Sequence, residues 1–339
     1  MKKVVWQTKS PVVYNSFDQG KLSGIAKGGN SYNFYAAHAL AEHFNFSIDR
    51  NSVKKSGEPN MSYYLRLSVL RPKADVVIKE GYPAALSPVS KSNVNVAIIH
   101  HIDELLGKSS FRHSWFYDKL IKKLPQMDLV ITVSKYWETH LKNMGCSNVK
   151  VIYNSFDPEE FKIDAEAAAA FKAKYKFGQK PLIYIGNAHR QKGVYEAYEA
   201  LKGCGYDLVM TGSKNEAADL PVNFLSLNRK EYLALLQAAN AVVVMSNMPE
   251  GWNRVAHEAM LSGTPVIGSG AGGMQELLEE GGQAIALNAD DLRKQLEGLL
   301  HTHDAAIKKG YAFASRFNKS YFDKEWVKTI QHVITNKVK

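Results

Sequence analysis

The stretch Pro249–Met260, P-E-G-W-N-R-V-A-H-E-A-M, sets two carboxylates eight positions apart around a candidate anion site. Ahead of it, Ala241–Ser246 (AVVVMS) is an unbroken apolar run that predicts a buried parallel strand. Behind it, Val255, Ala256, Ala259, Met260 and Leu261 recur at helical spacing until Ser262–Gly263–Thr264–Pro265 stops the helix. Glu250 is therefore expected at a strand's carboxyl end, and Glu258 about two turns into the next helix. Unpaired amides around Trp252–Val255 would point at whatever the carboxylates hold. A helix N-terminus favours phosphate and carboxylates accept from sugar hydroxyls, so the pair suits a nucleotide sugar. An ordinary strand–loop–helix unit with surface glutamates would show the same spacing. The following unit weighs against that. Thr264–Ser269 (TPVIGS) reads as another buried strand, and Gly270–Ala271–Gly272–Gly273–Met274–Gln275–Glu276 as a second glycine-rich turn opening a second helix.

Outward from this stretch, the chain reads as repeated βα units. In the first half, strands are expected at Val12–Tyr14, Asp75–Ile78, Val94–His100, Asp128–Ser134 and Val149–Tyr153, with helices at about Ser31–Phe44, Ser109–Lys123 and Lys135–Met144. In the second half, strands at Leu182–Gly186, Leu208–Thr211, Asn223–Leu227, Ala241–Ser246, Pro265–Ser269 and Ala284–Leu287 alternate with helices. This is a doubly wound α/β pattern given twice.

Glu250 through Glu276 resembles the signature of the retaining family-4 glycosyltransferases, roughly E-G-F-G-x-x-x-x-E-A-M-A-x-G-x-P-V-I-A-S-x-x-G-G-x-x-E. The chain keeps both glutamates, E-A-M, G-T-P-V-I and G-G-x-x-E. It departs at Trp252, where Phe is usual, and at Asn253, where Gly is common. Asn tolerates unusual backbone angles, so the amide geometry is expected to survive. The resemblance implies the GT-B fold, two Rossmann-like doubly wound domains facing a cleft. Residues 1–155 would form an acceptor-side domain and 156–320 a nucleotide-sugar-binding domain, with the helix of 321–339 returning to the first. The family's linker V-I-Y-N-G-V-D is matched by VIYNSFD at Val151–Asp157.

The same resemblance assigns roles. Gly186, Lys192 and Gly193 fit G-R-x-x-x-x-K-G, whose Arg and Lys grip the donor diphosphate. Asn187 stands where the Arg is expected, and whether Arg190 reaches in instead is open. The loop Ser23–Asn30 brings the pair Gly28–Gly29 to the start of a helix, where the family faces a donor phosphate. His100 or His101, at a strand end, would lie near the donor sugar, with His100 preferred; a strand-end His is also an ordinary structural residue. Glu250 would contact donor-sugar hydroxyls and Glu258 the ribose, with Gly251, Trp252, Asn253, Arg254 and Val255 lining the donor between them. Glu250, His100 and Lys192 form the catalytic set, and no nucleophile is assigned. No D-x-D constellation is present, so neither a metal nor a cofactor is expected.

The resemblance implies a retaining, metal-independent hexosyltransferase. It would use a UDP- or GDP-sugar and a glycan acceptor, lipid-linked in surface polysaccharide or lipopolysaccharide synthesis. A nucleotide-sugar 2-epimerase of the same fold and a non-catalytic module for anionic polymers or membranes are the rivals.

Composition agrees with two domains. The chain has 339 residues, of which 45% are hydrophobic. Two cysteines distant in sequence, Cys146 and Cys204, show no metal spacing and point to a reducing cytoplasm. Met1–Lys9 is short and basic, unlike a signal peptide. Residues 1–150 hold 21 Lys and Arg against 11 Asp and Glu, whereas the remainder holds 22 of each. The excess of +10 is either a solvated basic surface or an attraction to an anionic membrane at its inner face. Phe111–Leu124 (FRHSWFYDKLIKKL), with Phe111, Trp115, Leu120 and Leu124 beside lysines, resembles an interfacial helix, and equally a helix packed on a Rossmann sheet. No motif supports nucleic acid as a partner.

Overall fold

The computed structural model describes residues 1–21, 28–103, 110–212, 217 and 219–338. It divides into two compact units, Met1–Ser155 with Lys319–Lys339, and Phe156–Asn318. Each is a parallel six-stranded sheet flanked by helices, which is the Rossmann-like α/β architecture expected of the sequence.

The first sheet contains β1 (Lys3–Gln7), β2 (Asn45–Ile48), β3 (Val76–Glu80), β4 (Val94–Ile98), β5 (Leu129–Thr132) and β6 (Val149–Val151), in the order β2-β1-β3-β4-β5-β6. Its topological switch point lies between β1 and β3, whose register pairs Val4 with Val76 and Gln7 with Lys79. Val4, Val5, Trp6 and Gln7 are all buried, as a central parallel strand requires. The strand expected at Val12–Tyr14 is instead a helix, Pro11–Asp18. Ser10 caps it by accepting from Val13 N, and Pro11 supplies a preset φ in the first turn.

The helix Lys319–Val338 belongs to this first unit. Phe322, Trp326 and Ile330 recur every four residues and are fully buried, with the Trp326 ring 5.7 Å from Trp6. Lys337–Asp128 at 2.7 Å and Lys150–Glu325 at 2.9 Å add ion pairs. Such partly exposed pairs contribute at most about 1 kcal/mol each, whereas each buried large side chain contributes about 1.5–3 kcal/mol, so apolar burial fixes this helix.

On the helix Phe111–Lys123, Leu120 is buried, as is Leu124 just beyond it, while Phe111 and Trp115 are exposed. The four do not share one solvent face. The contiguous apolar stripe lies elsewhere, at Met61, Leu65 and Val69 on the helix Asn60–Val69, each about two-thirds exposed. Among the described residues no helix is long and apolar enough to cross a membrane.

The second sheet contains β7 (Leu182–Asn187), β8 (Asp207–Thr211), β9 (Asn223–Leu225), β10 (Ala241–Val244), β11 (Val266–Gly268) and β12 (Ala284–Ile285), ordered β12-β11-β10-β7-β8-β9. Its switch point falls between β7 and β10. Ile183, Ile185, Val243 and Ile267 anchor the core on one face of this sheet.

Candidate functional site

In the second unit, the loops leaving β7 and β10 meet at the switch point. The β7 loop forms a short turn, Arg190–Lys192, that delivers Lys192 to Glu250. Lys192 Nζ donates to Glu250 Oε1 at 2.7 Å and to Oε2 at 3.0 Å. The glutamate side chain is 7% exposed and the lysine 38%, so the carboxylate is held from below while the amine keeps a face to solvent. Asn253 Nδ2 adds a longer bond to Glu250 Oε1, 3.3 Å.

Asn253 is also the N-cap of the helix Arg254–Leu261, its Oδ1 accepting from Ala256 N at 2.9 Å. Its backbone is extended, φ −80° and ψ 101°, so the tolerance of Asn for left-handed angles plays no part here. Capping is what selects it. Gly251 and Trp252 are buried, and Arg254 and Val255 half-buried in the first helical turn. Glu250 also bridges the next βα unit. Its N–H donates to Ala271 O at 3.1 Å and its C=O accepts from Gly273 N at 2.8 Å, which fixes the start of the helix Gly273–Glu280 beside it.

Glu258 stands apart from the lysine. Its Oε1 accepts from Arg229 Nη1 at 3.2 Å and its Oε2 from the half-buried Tyr232 hydroxyl at 2.9 Å. Arg254 lies 3.8 Å away, one turn back on the same helix. Arg229 and Tyr232 sit on the helix Arg229–Ala238 and no spacing in the sequence ties them to Glu258.

Asn187 does not grip anything outward. Its Oδ1 accepts from Thr211 Oγ1 at 2.8 Å and from Tyr184 at 3.4 Å, closing a hydroxyl network where the β7–β8 register shifts. The Arg190 guanidinium lies 5.0 Å over the Tyr195 ring. Gly186, at φ +91°, lets β7 make this irregular turn.

Trp252 carries more than an aromatic face. Its Nε1 donates to His257 Nδ1 at 3.1 Å, and His257 Nε2 lies 3.1 Å from Ala314 O. Both contacts are satisfied only by a neutral ring with its proton on Nε2. Burial pulls the His257 pKa down to about 3. An unfolded histidine takes up its proton near pH 6.5, so the stability from the neutral ring is complete above that pH and is lost as pH falls toward 3. Unfolding free energies from urea titrations should fall with acid across that window by up to about 1.4 kcal/mol per pH unit from this group. In His257→Gln the slope should flatten by up to one proton, and an unchanged slope would refute the assignment. The Trp252→Phe variant, which orphans Nδ1, should lose about 1–3 kcal/mol at pH 7.

In the first unit, Gly28 (φ +53°) caps the helix Gly29–Ala41, while Ser23–Lys27 of the predicted loop lie outside the described residues. A Cβ at Gly29 would lie 3.2 Å from His100 Cδ2, so the missing side chain makes room for that ring. His100 Nε2 reaches Asn33 Oδ1 at 3.2 Å and packs edge-on against Tyr32. His101, by contrast, is exposed. Gly29 and His100 are thus brought together. Among the described residues, no three His, Cys, Asp or Glu side chains converge as a metal set.

Residues 168–311 match the family of glycosyl transferases group 1. The chain is 32% identical over 176 residues to an uncharacterised glycosyltransferase of Methanocaldococcus jannaschii, a match covering 44% of this chain and 44% of the relative. That span is less than half of the relative's length. Two solved structures share the fold over nearly the whole chain. Sucrose-phosphate synthase from Thermosynechococcus elongatus has a TM-score of 0.76 at 17% identity, covering 99% of this chain and 100% of that one. Anabaena Alr3699/HepE in complex with UDP has a TM-score of 0.72 at 18% identity, covering 98% and 100%. The match to glycosyl transferases group 1, residues 168–311, thus falls wholly within the second unit, Phe156–Asn318.

Proposed function

We propose that the chain is a retaining, metal-independent glycosyltransferase that moves a hexose from a UDP- or GDP-sugar to a glycan acceptor. The observation that carries this is the Lys192–Glu250 pair at the β7/β10 switch point, between two helix N-termini, inside the matched domain. Lys192 supplies a cation for the leaving diphosphate, and the amides opening Arg254–Leu261 and Gly273–Glu280 supply preorganised dipoles. Glu250 accepts from the transferred sugar's hydroxyls. Glu258 takes the ribose, sharing its carboxylate with Arg229 and Tyr232. The UDP complex of the Anabaena neighbour favours a uridine donor.

The acceptor is proposed to be lipid-linked. The exposed Met61–Leu65–Val69 stripe and the +10 of residues 1–150 suit an anionic bilayer surface.

Calorimetry of the full chain against UDP, GDP and their hexose conjugates, in EDTA, tests the donor. One nucleoside diphosphate should bind, and its sugar conjugate should turn over only with an acceptor glycan present. Conversion of UDP-N-acetylglucosamine alone would select the 2-epimerase instead. Absence of all nucleotide binding would leave the non-catalytic module, and loss of turnover in EDTA would overturn metal independence.

A further inference from the structure

At the carboxyl edge of the first sheet, a recess of about 570 Å³ is lined by residues that include Lys9, Ser10, Lys54, Lys55, Ser56, Glu80 and Tyr82. Lys9 and Ser10 lie two and three residues past the end of β1, and Tyr82 two residues past β3. These are the two strands of that sheet's switch point, the place where open α/β sheets hold ligands. The recess is markedly cationic. Lys9 Nζ lies 3.9 Å over the Tyr82 ring, and Lys54 Nζ donates only to the neutral Asn60 Oδ1, at 2.6 Å. Among the described residues none of the three lysines forms an ion pair.

The nearby carboxylates are committed elsewhere. Glu58 is bound to Arg66 at 2.6 Å, and Glu80 accepts from Trp6 Nε1 and Thr8 Oγ1. Burial raises the Glu80 pKa to about 7, which removes much of its negative charge at neutral pH. Burial, and then the neighbouring Lys54, lower the pKa of Lys9. An incoming anion relieves both penalties. Three lysines and two serine hydroxyls around one recess, whose neighbouring carboxylates are already hydrogen-bonded, are matched by a phosphate ester.

We propose that this recess binds the phosphate group of the acceptor, through Lys9, Lys54 and Lys55 with the hydroxyls of Ser10 and Ser56. The inference rests on the glycosyl-transfer reading only in calling that ligand the acceptor. Two sources share the chemistry, a soluble sugar phosphate and a phospholipid-like headgroup. Lys54 and Lys55 immediately precede the helix that bears the exposed Met61–Leu65–Val69 stripe.

The test uses the full chain, with Lys9→Met and Lys55→Glu made separately. Lys55 is exposed, so the second variant keeps the test valid if the first does not fold. Glucose 6-phosphate is titrated by calorimetry, and phosphatidylcholine vesicles containing phosphatidylglycerol by sedimentation. Each variant should weaken binding about ten-fold, as loss of one charge-assisted contact implies. Loss in the sugar-phosphate arm supports a soluble acceptor; loss in the vesicle arm alone supports a membrane headgroup. No binding in either arm, or binding unchanged in both variants, overturns the site. UDP affinity is measured in parallel. If the unmodified chain does not bind UDP, the donor assignment fails while the outcome for the recess stands independently.

Discussion

Glu250→Gln should lower turnover by about 10²–10³-fold while leaving UDP affinity within a few-fold of the unmodified chain. The substitution is isosteric, and the amide oxygen can still accept from Asn253 Nδ2. What disappears is the charge opposite Lys192, and with it the charge-assisted bonds the carboxylate offers to sugar hydroxyls. A freed ammonium grips diphosphate at least as well, so the loss belongs to the transferred sugar and appears in kcat. Lys192→Met acts in the opposite sense. It removes the cation that holds diphosphate, so UDP binding weakens, and it strands a buried carboxylate that is 7% exposed. A stranded buried charge costs roughly 3–5 kcal/mol, so Lys192→Met should also lower the melting temperature. Adding Glu250→Gln to it should restore much of that stability but none of the activity, a non-additivity expected of residues in contact. If both single variants change KM and kcat in the same proportion, the division of labour is wrong.

The architecture was legible because parallel strands buried on both faces are apolar without interruption. AVVVMS, TPVIGS and LIYIG need no partner to be recognised, and all three became central or near-central strands. The first unit was harder. KVVWQ is a central strand too, but it begins at the third residue and was masked by its basic flank, while PVVYNSFD has strand-forming residues committed to a helix by Ser10 and Pro11.

On the contiguous motif, Glu250 follows β10 and Glu258 lies within the helix Arg254–Leu261, because a strand, a turn and a helix fix such positions locally. The partners that neutralise them come from distant helices. Arg229 and Tyr232 reach Glu258 across more than twenty positions, and Thr211 and Tyr184 turn Asn187 into a structural acceptor. No local periodicity encodes those pairings. The Trp252–His257 bond lies within reach of sequence logic, five positions apart, but a departure from Phe to Trp reads as a size change until the indole N–H is seen donating.

The glycines that close the second unit's site set a sharper limit than any of its charged groups, and among the described glycines Gly193→Ala should be the most damaging added methyl. Gly193 has φ +69°, and a Cβ there would sit 1.6 Å from Met245 O and 2.4 Å from Met245 C. The obstacle is backbone, so no rotamer change clears it. Either the Lys192 turn or the end of β10 must move, and those are the two halves of the switch point. Gly272→Ala meets the same kind of barrier, 2.6 Å from both Glu250 N and Glu250 O, where the bridge between these residues holds the second helix N-terminus. Gly203 separates the two possible causes. It also has positive φ, +78°, but no atom within 4 Å of the added methyl. Gly203→Ala should therefore lose only the left-handed backbone penalty, about 1–2 kcal/mol, and keep UDP binding. Gly193→Ala and Gly272→Ala carry that penalty plus the collision, placing each above about 4 kcal/mol, with UDP binding abolished in whatever folds. Thermal midpoints and UDP calorimetry on the three variants decide it. If Gly193→Ala melts with Gly203→Ala, the two loops are not locked together and Lys192 has freedom that this geometry denies it.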